Sequence, residues 1–237
     1  EALCGIAQQH DCISIVDAVT SLGGSELRVD DWGIDAIYSG TQKCLSCIPG
    51  LSPVSFSSKA IEKIKARKTK NFSWFLDLNL VMDYWGEGAK RTYHHTAPVN
   101  SLYALHESLL ILQEEGLEAA WKRHELHHSA LVVGLESLGV EMMVDKEIRL
   151  AQLNAVKIPD GVDDAAVRST LLKQYDLEIG AGLGKFAGKA WRIGLMGNAC
   201  SKENVMFCLA SLGAVLNEQG HQCDTEQAIT LAEKVYS

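Results

Sequence analysis

The 237-residue sequence contains no run of about 18 uninterrupted apolar residues, which is the length that a membrane-spanning helix requires. Its first residues also lack the charged-then-apolar pattern of a secretory signal segment. These two absences predict a soluble protein with no membrane partner. The cysteine count is seven, and an odd number favours a reducing compartment over a disulfide-linked scaffold.

Basic residues are too scarce for a surface that binds nucleic acid. The formal net charge is −8, and the longest basic segment, residues 63–70, is expected to be the solvated end of a helix. We therefore expect no nucleic-acid partner. The first residue is Glu1 rather than Met, and residues 2–7 have the composition of a helix interior. We expect from this that the natural polypeptide has a further part upstream.

Short apolar runs alternate with amphipathic segments, which is typical of an α/β fold. Residues 12–16 and 36–39 are predicted to be strands of a parallel sheet that is covered on both faces, with residues 54–57 as a third strand. The aromatic segment 72–85 is expected to be rich in loops. Helices are predicted over residues 1–9, 59–67, 101–115 and 117–138.

We place a domain boundary at Glu115-Gly116, so that residues 1–115 and 116–237 form two domains. The second is predicted to be a small α/β unit. Its strands are expected at residues 151–158, 177–180 and 191–195, and its helices after residue 138 at 163–174 and 202–217.

Two short motifs suggest other chemistry. His124, Glu125 and His128 fit H-E-x-x-H, in which two histidines on one helix face bind zinc and the glutamate acts as a base. No third ligand follows at a family spacing, and a zinc hydrolase remains an alternative function of another class. Cys44 and Cys47 form a C-x-x-C pattern, but no second pair completes a zinc site. Small apolar side chains beside a pocket are the simpler interpretation of these two cysteines.

Asp17 and Lys43 follow two strands that are predicted to be parallel. The carboxyl ends of parallel strands lie at one edge of a sheet, where ligands bind. A lysine there can form a Schiff base with pyridoxal phosphate, while a carboxylate keeps the pyridine nitrogen protonated. Partial burial suits such a lysine, because its amine must be neutral to attack an aldehyde. A salt contact with Asp17, or an exposed position, is the alternative interpretation of Lys43.

Four segments carry a resemblance to a known family: residues 15–24 (IVDAVTSLGG), 33–43 (GIDAIYSGTQK), 93–96 (YHHT) and 191–197 (WRIGLMG). With them the sequence resembles the alanine–glyoxylate / serine–pyruvate aminotransferases, class V enzymes dependent on pyridoxal phosphate, a group that includes 3-hydroxykynurenine transaminase. The resemblance implies an α/β fold. Residues 1–115 would be the C-terminal part of an aspartate-aminotransferase-like large domain that binds the cofactor, and residues 116–237 the small C-terminal domain. The N-terminal part of the family would be missing.

The resemblance also implies individual roles. Lys43 would be the Schiff-base lysine, and Asp17 would be the partner of the pyridinium nitrogen. Arg192 would bind the substrate carboxylate, to which a guanidinium offers a two-pronged match. The cofactor phosphate would be bound by Gln42 and, in the neighbouring subunit of a homodimer, by Tyr93 and Thr96. No metal is implied.

The reaction implied by the resemblance moves an amino group from alanine or serine to glyoxylate or pyruvate. A 3-hydroxykynurenine transaminase and a catalytically incomplete fragment are the alternatives, because the residues that shape the donor pocket are expected partly upstream. The expected location is intracellular, peroxisomal or cytoplasmic, and a mitochondrial location stays open. The last residues, ending in Ser237, are not the peroxisomal Ser-Lys-Leu signal.

Overall fold

The structure, a computed structural model, describes residues 1–86, 88 and 92–237. Contacts between backbones group the chain into two units. The first contains Glu1–Val19, Arg28–Thr41 and Cys47–Glu107, and the second contains Thr20–Leu27, Gln42–Ser46 and Ser108–Ser237. Within the described chain, none of the helices combines the length and the apolar character that crossing a membrane requires.

The first unit has a three-stranded sheet in the order β1 (Ile15–Asp17), β2 (Ala36–Tyr38), β3 (Val54–Phe56). Strands β1 and β2 are parallel, as predicted, and β3 returns antiparallel to β2. Among the described residues β1 is the outer strand of this sheet, and Ile15 is 71 % exposed. The expected cover on both faces of β1 is therefore not provided by this chain.

Three helices belong to the first unit: α1 (Ala2–Gln9), α2 (Ser58–Lys65) and α3 (Leu78–Trp85). Ser57 caps α2, where its hydroxyl accepts a hydrogen bond from the Ala60 N–H. The expectation that residues 72–85 are rich in loops does not hold for the second half of this segment, where α3 forms. Its start is set by Asp77, whose carboxylate accepts from the Asn79 N–H.

The helix α4 (Val99–Glu115) precedes α5 (Leu117–Ser137), and the two are separated by Gly116 with φ 85°. Glycine is suited to this break because a side chain strains such a backbone. The predicted domain division falls at this break and stays a prediction. Although the leucines of α4 recur with helical spacing, none of its residues is buried in the described chain.

The second unit contains an antiparallel sheet in the order β4 (Leu153–Lys157), β6 (Ala190–Gly194), β5 (Gly180–Ala181). Its further helices are α6 (Asp164–Tyr175), α7 (Lys202–Glu218) and α8 (Thr225–Lys234). Helix α8 was not predicted from the sequence. It begins after Asp224, whose carboxylate accepts a hydrogen bond from the Gln227 N–H. Helix α5 packs on α7 and α8.

The core of the second unit joins α5, α6, α7 and the sheet. Trp191 of β6 is fully buried, and its indole N–H donates to Asp164 Oδ1 at 2.9 Å. This bond satisfies the polar atom of a large apolar side chain. Gly134 of α5 lies against Leu209 of α7, where a Cβ atom would come within 2.3 Å of Leu209 Cδ1. The two helices can therefore approach closely only because residue 134 has no side chain.

We expect Gly134→Ala to lower the free energy of unfolding by about 1–3 kcal/mol, because overpacking outweighs the higher helix propensity of alanine. Urea unfolding measures the change. The matched control is Gly5→Ala in α1, where nothing lies within 4 Å of an added Cβ. That variant should be as stable as the wild type or more so. Equal stability gains for both variants would contradict the close packing of α5 on α7.

Candidate active site

Asp17, the last residue of β1, carries a carboxylate that two hydrogen bonds orient. Val19 N–H donates to Oδ1 at 2.8 Å, and the Tyr38 hydroxyl donates to Oδ2 at 2.9 Å. Tyr38 stands beside Asp17 because the parallel register pairs these two residues. The hydrogen bond to Asp17 raises the pKa of Tyr38, so the phenol stays protonated at neutral pH and keeps donating.

The backbone at the ends of β1 and β2 is fixed by further bonds. Ala18 N–H donates to the Tyr38 carbonyl at 2.9 Å, and the buried Ser39 hydroxyl donates to the Ala18 carbonyl at 2.8 Å. Asp17 itself is exposed. The result is an accessible carboxylate on a rigid strand end. Sequence reasoning found Asp17 but missed Tyr38, which the strand pairing alone could have indicated.

Lys43 lies in a turn of the second unit, five residues after the end of β2. Its side chain is half-buried, while that of Gln42 is exposed. The turn is closed by a hydrogen bond of 2.9 Å from the Ser46 N–H to the Lys43 carbonyl. Cys44 is buried, its thiol donates to the Thr20 carbonyl at 3.2 Å, and burial raises its pKa to about 11. A thiol in this state is unreactive at neutral pH, which favours the structural interpretation of Cys44.

Arg192 extends from β6, the strand expected to carry it. The side chain is half-buried, and its Nε donates to the Ala181 carbonyl of β5 at 2.8 Å. A Cβ atom on Gly180 would lie 3.4 Å from Arg192 Nη2, so β5 packs tightly along the guanidinium. The neighbouring strand thereby fixes the direction in which this arginine points.

Tyr93 and Thr96 belong to the first unit and form one pair. Their hydroxyl oxygens are 2.7 Å apart, and both side chains are exposed. Between them, His94 stacks on Trp74 with ring centroids 4.1 Å apart, and its Nε2 lies 3.1 Å from the Trp74 carbonyl. The ring nitrogens of His94 and His95 are 2.8 Å apart. Both histidines therefore take part in local contacts that support the segment.

The histidines of the H-E-x-x-H motif have structural partners. His124 uses both ring nitrogens: Nδ1 lies 2.6 Å from the Ala120 carbonyl, and Nε2 accepts from the Gly197 N–H at 3.0 Å. His128 Nδ1 lies 2.7 Å from Asn154 Oδ1. Among the described residues, no three potential ligands are grouped in a way that could hold a metal. The geometry thus gives both histidines a role in packing, without support for the zinc alternative.

Arg123, next to His124 on α5, was not singled out by the sequence. Its guanidinium makes two hydrogen bonds to the carboxylate of Glu115, and Nη1 donates to the carbonyls of Gly197 at 2.9 Å and Cys200 at 2.8 Å. This pairing lowers the pKa of Glu115 and raises that of Arg123. Successive residues of α5 therefore hold the N–H and the carbonyl of Gly197.

Burial lowers the pKa of His124 below its ordinary value, since no water can solvate a charged ring there. Protonation would also remove the acceptor of the Gly197 N–H. Because the unfolded chain binds this proton more readily, stability is complete above about pH 6.5 and falls as the pH drops below it.

We expect the free energy of unfolding of the wild type to decrease between pH 7 and pH 5, with His124 contributing at most about 1.4 kcal/mol per pH unit. In His124→Gln, which cannot titrate, the decrease should be smaller. Denaturant titrations at several pH values measure it, with Leu126→Gln on the same helix as the control. Carboxylates such as Glu115 take up protons at lower pH than histidines do. If the free energy of unfolding of His124→Gln depends on pH as that of the wild type does, this linkage is refuted.

The family described as "Aminotransferase class-V" matches residues 1–226. The (S)-ureidoglycine–glyoxylate transaminase of Bacillus subtilis is 38 % identical over 100 % of this chain and 61 % of its own length. The alanine–glyoxylate aminotransferase of Callithrix jacchus is 44 % identical over 89 % of this chain and 51 % of its own length.

Among solved structures, the ureidoglycine–glyoxylate aminotransferase of Bacillus subtilis superimposes with a TM-score of 0.94 at 40 % identity, covering 99 % of this chain and 60 % of that one. The chain thus spans about half to three fifths of the length of these relatives. These structural similarities confirm the predicted fold class. It is the α/β fold of the transferases that depend on pyridoxal phosphate. They also confirm the resemblance found in the sequence, and the chain belongs to the class-V aminotransferase family.

Proposed function

We propose that the protein containing this chain is a transaminase that uses pyridoxal phosphate, bound covalently through Lys43. It would move an amino group from a small amino acid, alanine or serine, to glyoxylate or pyruvate. The observation that carries the proposal is the oriented carboxylate of Asp17 in a chain of this family. Both curated relatives described above have glyoxylate in their names, which supports glyoxylate as the acceptor.

The groups on the described residues fit this cofactor. The Asp17 carboxylate accepts one bond at each oxygen and has further lone pairs for a protonated ring nitrogen. Tyr93 and Thr96 offer hydroxyl donors, and Gln42 offers an amide donor, all on exposed side chains that suit a phosphate. Lys43, a half-buried residue, supplies a primary amine for covalent attachment.

When bound, pyridoxal phosphate supplies an aldehyde that takes up the amine and a ring that withdraws electrons from the substrate α-carbon. Asp17 would hold a proton on the ring nitrogen and so keep the ring electron-deficient. The Lys43 amine would serve as the general base and acid that moves a proton at the substrate α-carbon. Two half-reactions in sequence imply ping-pong kinetics.

Arg192 would bind and orient the substrate carboxylate. Its Nε is bonded to Ala181, so the donors that serve the substrate are those of Nη1 and Nη2, which match two carboxylate oxygens. An arginine fixed on a strand can hold the α-carbon at a constant distance from the base. Such positioning contributes to catalysis because a misplacement of about 1 Å can cost roughly 100-fold in rate.

Tyr93 and Thr96 would bind the phosphate in the neighbouring subunit of a homodimer. The bond between their hydroxyl groups sets the two side chains in position before any partner arrives. The names of the relatives indicate candidate amino donors. Alanine and (S)-ureidoglycine occur in the names of the relatives, and 3-hydroxykynurenine stays an untested prediction from the sequence. To distinguish these donors, the half-reaction with each of them is monitored through the absorbance of the cofactor.

We expect Lys43→Ala, made in the natural polypeptide, to abolish covalent attachment of pyridoxal phosphate. Reduction with borohydride followed by peptide mass spectrometry measures the attachment directly. The control is Lys59→Ala, because Lys59 forms a surface ion pair with Asp11 at 3.1 Å and should be dispensable. Attachment at an unchanged level in Lys43→Ala would refute the proposed role.

We expect Arg192→Lys to raise the KM for the amino acid by about 10- to 100-fold, since a lysine cannot offer the two-pronged match. The content of bound cofactor should stay that of the wild type. Steady-state kinetics and absorbance measure the two quantities. Arg168→Lys serves as the control, because Arg168 pairs with Asp164 one turn away on α6. An unchanged KM in Arg192→Lys would exclude Arg192 from the substrate site.

A further inference from the structure

Ser46, three residues after Lys43, has a backbone that serine seldom adopts. Its φ of 56° lies in the left-handed region, where only two other residues that are not glycine, Asp11 and Asp176, are found among those described. A Cβ atom is crowded in this region, and serine lacks the longer polar side chain that lets aspartate and asparagine enter it. Such a conformation persists only when neighbouring contacts hold it in place.

The contacts that hold Ser46 join it to Lys43 on one side and to a second turn on the other. The Ser46 N–H donates to the Lys43 carbonyl at 2.9 Å. Its hydroxyl oxygen accepts from the Asn198 N–H at 2.7 Å. Cys44, one of the two residues between Lys43 and Ser46, donates through its thiol to the Thr20 carbonyl. These three bonds fix the turn that contains Lys43 and Ser46, residues 43–46, which we call the lysine turn.

The second turn, Gly197–Ala199, is itself held by α5. His124 accepts from the Gly197 N–H, and Arg123, braced by Glu115, donates to the Gly197 carbonyl. A Cβ on Gly197 would lie 1.9 Å from Ser46 Oγ and 2.8 Å from the Cys44 carbonyl oxygen. The two turns thus touch directly, with the backbone of one against the side chain of the other.

We propose that Ser46 is a positioning residue for Lys43: its hydroxyl joins the lysine turn to the Gly197 turn and so sets the direction in which the Lys43 side chain leaves the backbone. This inference rests on the proposed function, because it gives Lys43 a reaction to perform. A lysine has a flexible stem of four carbons, and only its backbone can be fixed by local bonds. A fixed backbone reduces the number of orientations open to the Lys43 side chain. Less conformational entropy is then lost when the amine reaches a reacting carbon.

The test uses three substitutions at one position in the natural polypeptide. Ser46→Gly removes the hydroxyl and also the crowding of the left-handed backbone, so the two effects on stability oppose each other and the variant should fold. Ser46→Asn retains an oxygen acceptor and tolerates this backbone. Ser46→Ala loses the acceptor and keeps the crowding. Asp176→Gly is the control, because it makes the same backbone change at the end of α6.

Two measurements follow, one of which needs no cofactor. In the protein without pyridoxal phosphate, hydrogen exchange of the Asn198 amide should become at least about 10-fold faster in Ser46→Gly and stay near the wild-type rate in Ser46→Asn. The rate at which pyridoxal phosphate becomes attached to Lys43 should fall by about 10-fold or more in Ser46→Gly and Ser46→Ala. Ser46→Asn should restore most of it, and Asp176→Gly should leave it unchanged.

The outcomes separate the two proposals. Attachment to Lys43 at the wild-type rate in Ser46→Gly, with melting temperature preserved, would overturn the positioning role while leaving the function of Lys43 intact. Attachment that persists in Lys43→Ala would instead overturn the proposed function. A reduced rate in Ser46→Gly that Ser46→Asn restores, at equal melting temperatures, supports the inference, since a purely structural role would change stability together with rate.

Discussion

The backbone N–H and the backbone carbonyl of Gly197 are both bonded to side chains of one helix, α5. His124 accepts a hydrogen bond from the Gly197 N–H, and Arg123 donates one to the Gly197 carbonyl. A side chain at residue 197 would collide with Ser46 and Cys44. Residue 197 must therefore be a glycine, both for its φ of 55° and for the space. Since Ser46 and Cys44 lie against this glycine, the backbone that carries Lys43 depends on this contact.

The sequence predicted the strands that carry two of the proposed site residues, because short apolar runs between turn residues are a local signal. Asp17 lies at the end of β1, and Arg192 lies in β6, as expected. Tyr38 could have been added by pairing the two parallel strands. The role of His124 could not be predicted, because its partners are backbone groups of Ala120 and Gly197. Backbone contacts of this kind have no signature in the sequence. A spacing of two histidines says nothing about which atoms already occupy their ring nitrogens.

Two helices escaped prediction for a related reason. The apolar residues of α3 fall among aromatic residues that suggested loops, and α8 is a short helix of ten residues near the end of the chain. Each begins at an aspartate whose carboxylate accepts a backbone N–H, Asp77 and Asp224, and that capping signal was the available evidence. The exposure of Ile15 was also unpredictable from β1 itself, since a short apolar run does not reveal whether a strand is central or outer.

The burial of Trp191 has a consequence for the residue beside it. Side chains alternate between the two faces of a strand, so the tryptophan anchored to Asp164 and the arginine that follows it face opposite ways. A slip of β6 by one position would drive the charged guanidinium into the core and expose the indole to water. The misregistered strand is therefore heavily penalised during folding, and the orientation of Arg192 is protected by a neighbour that is itself enclosed in the core.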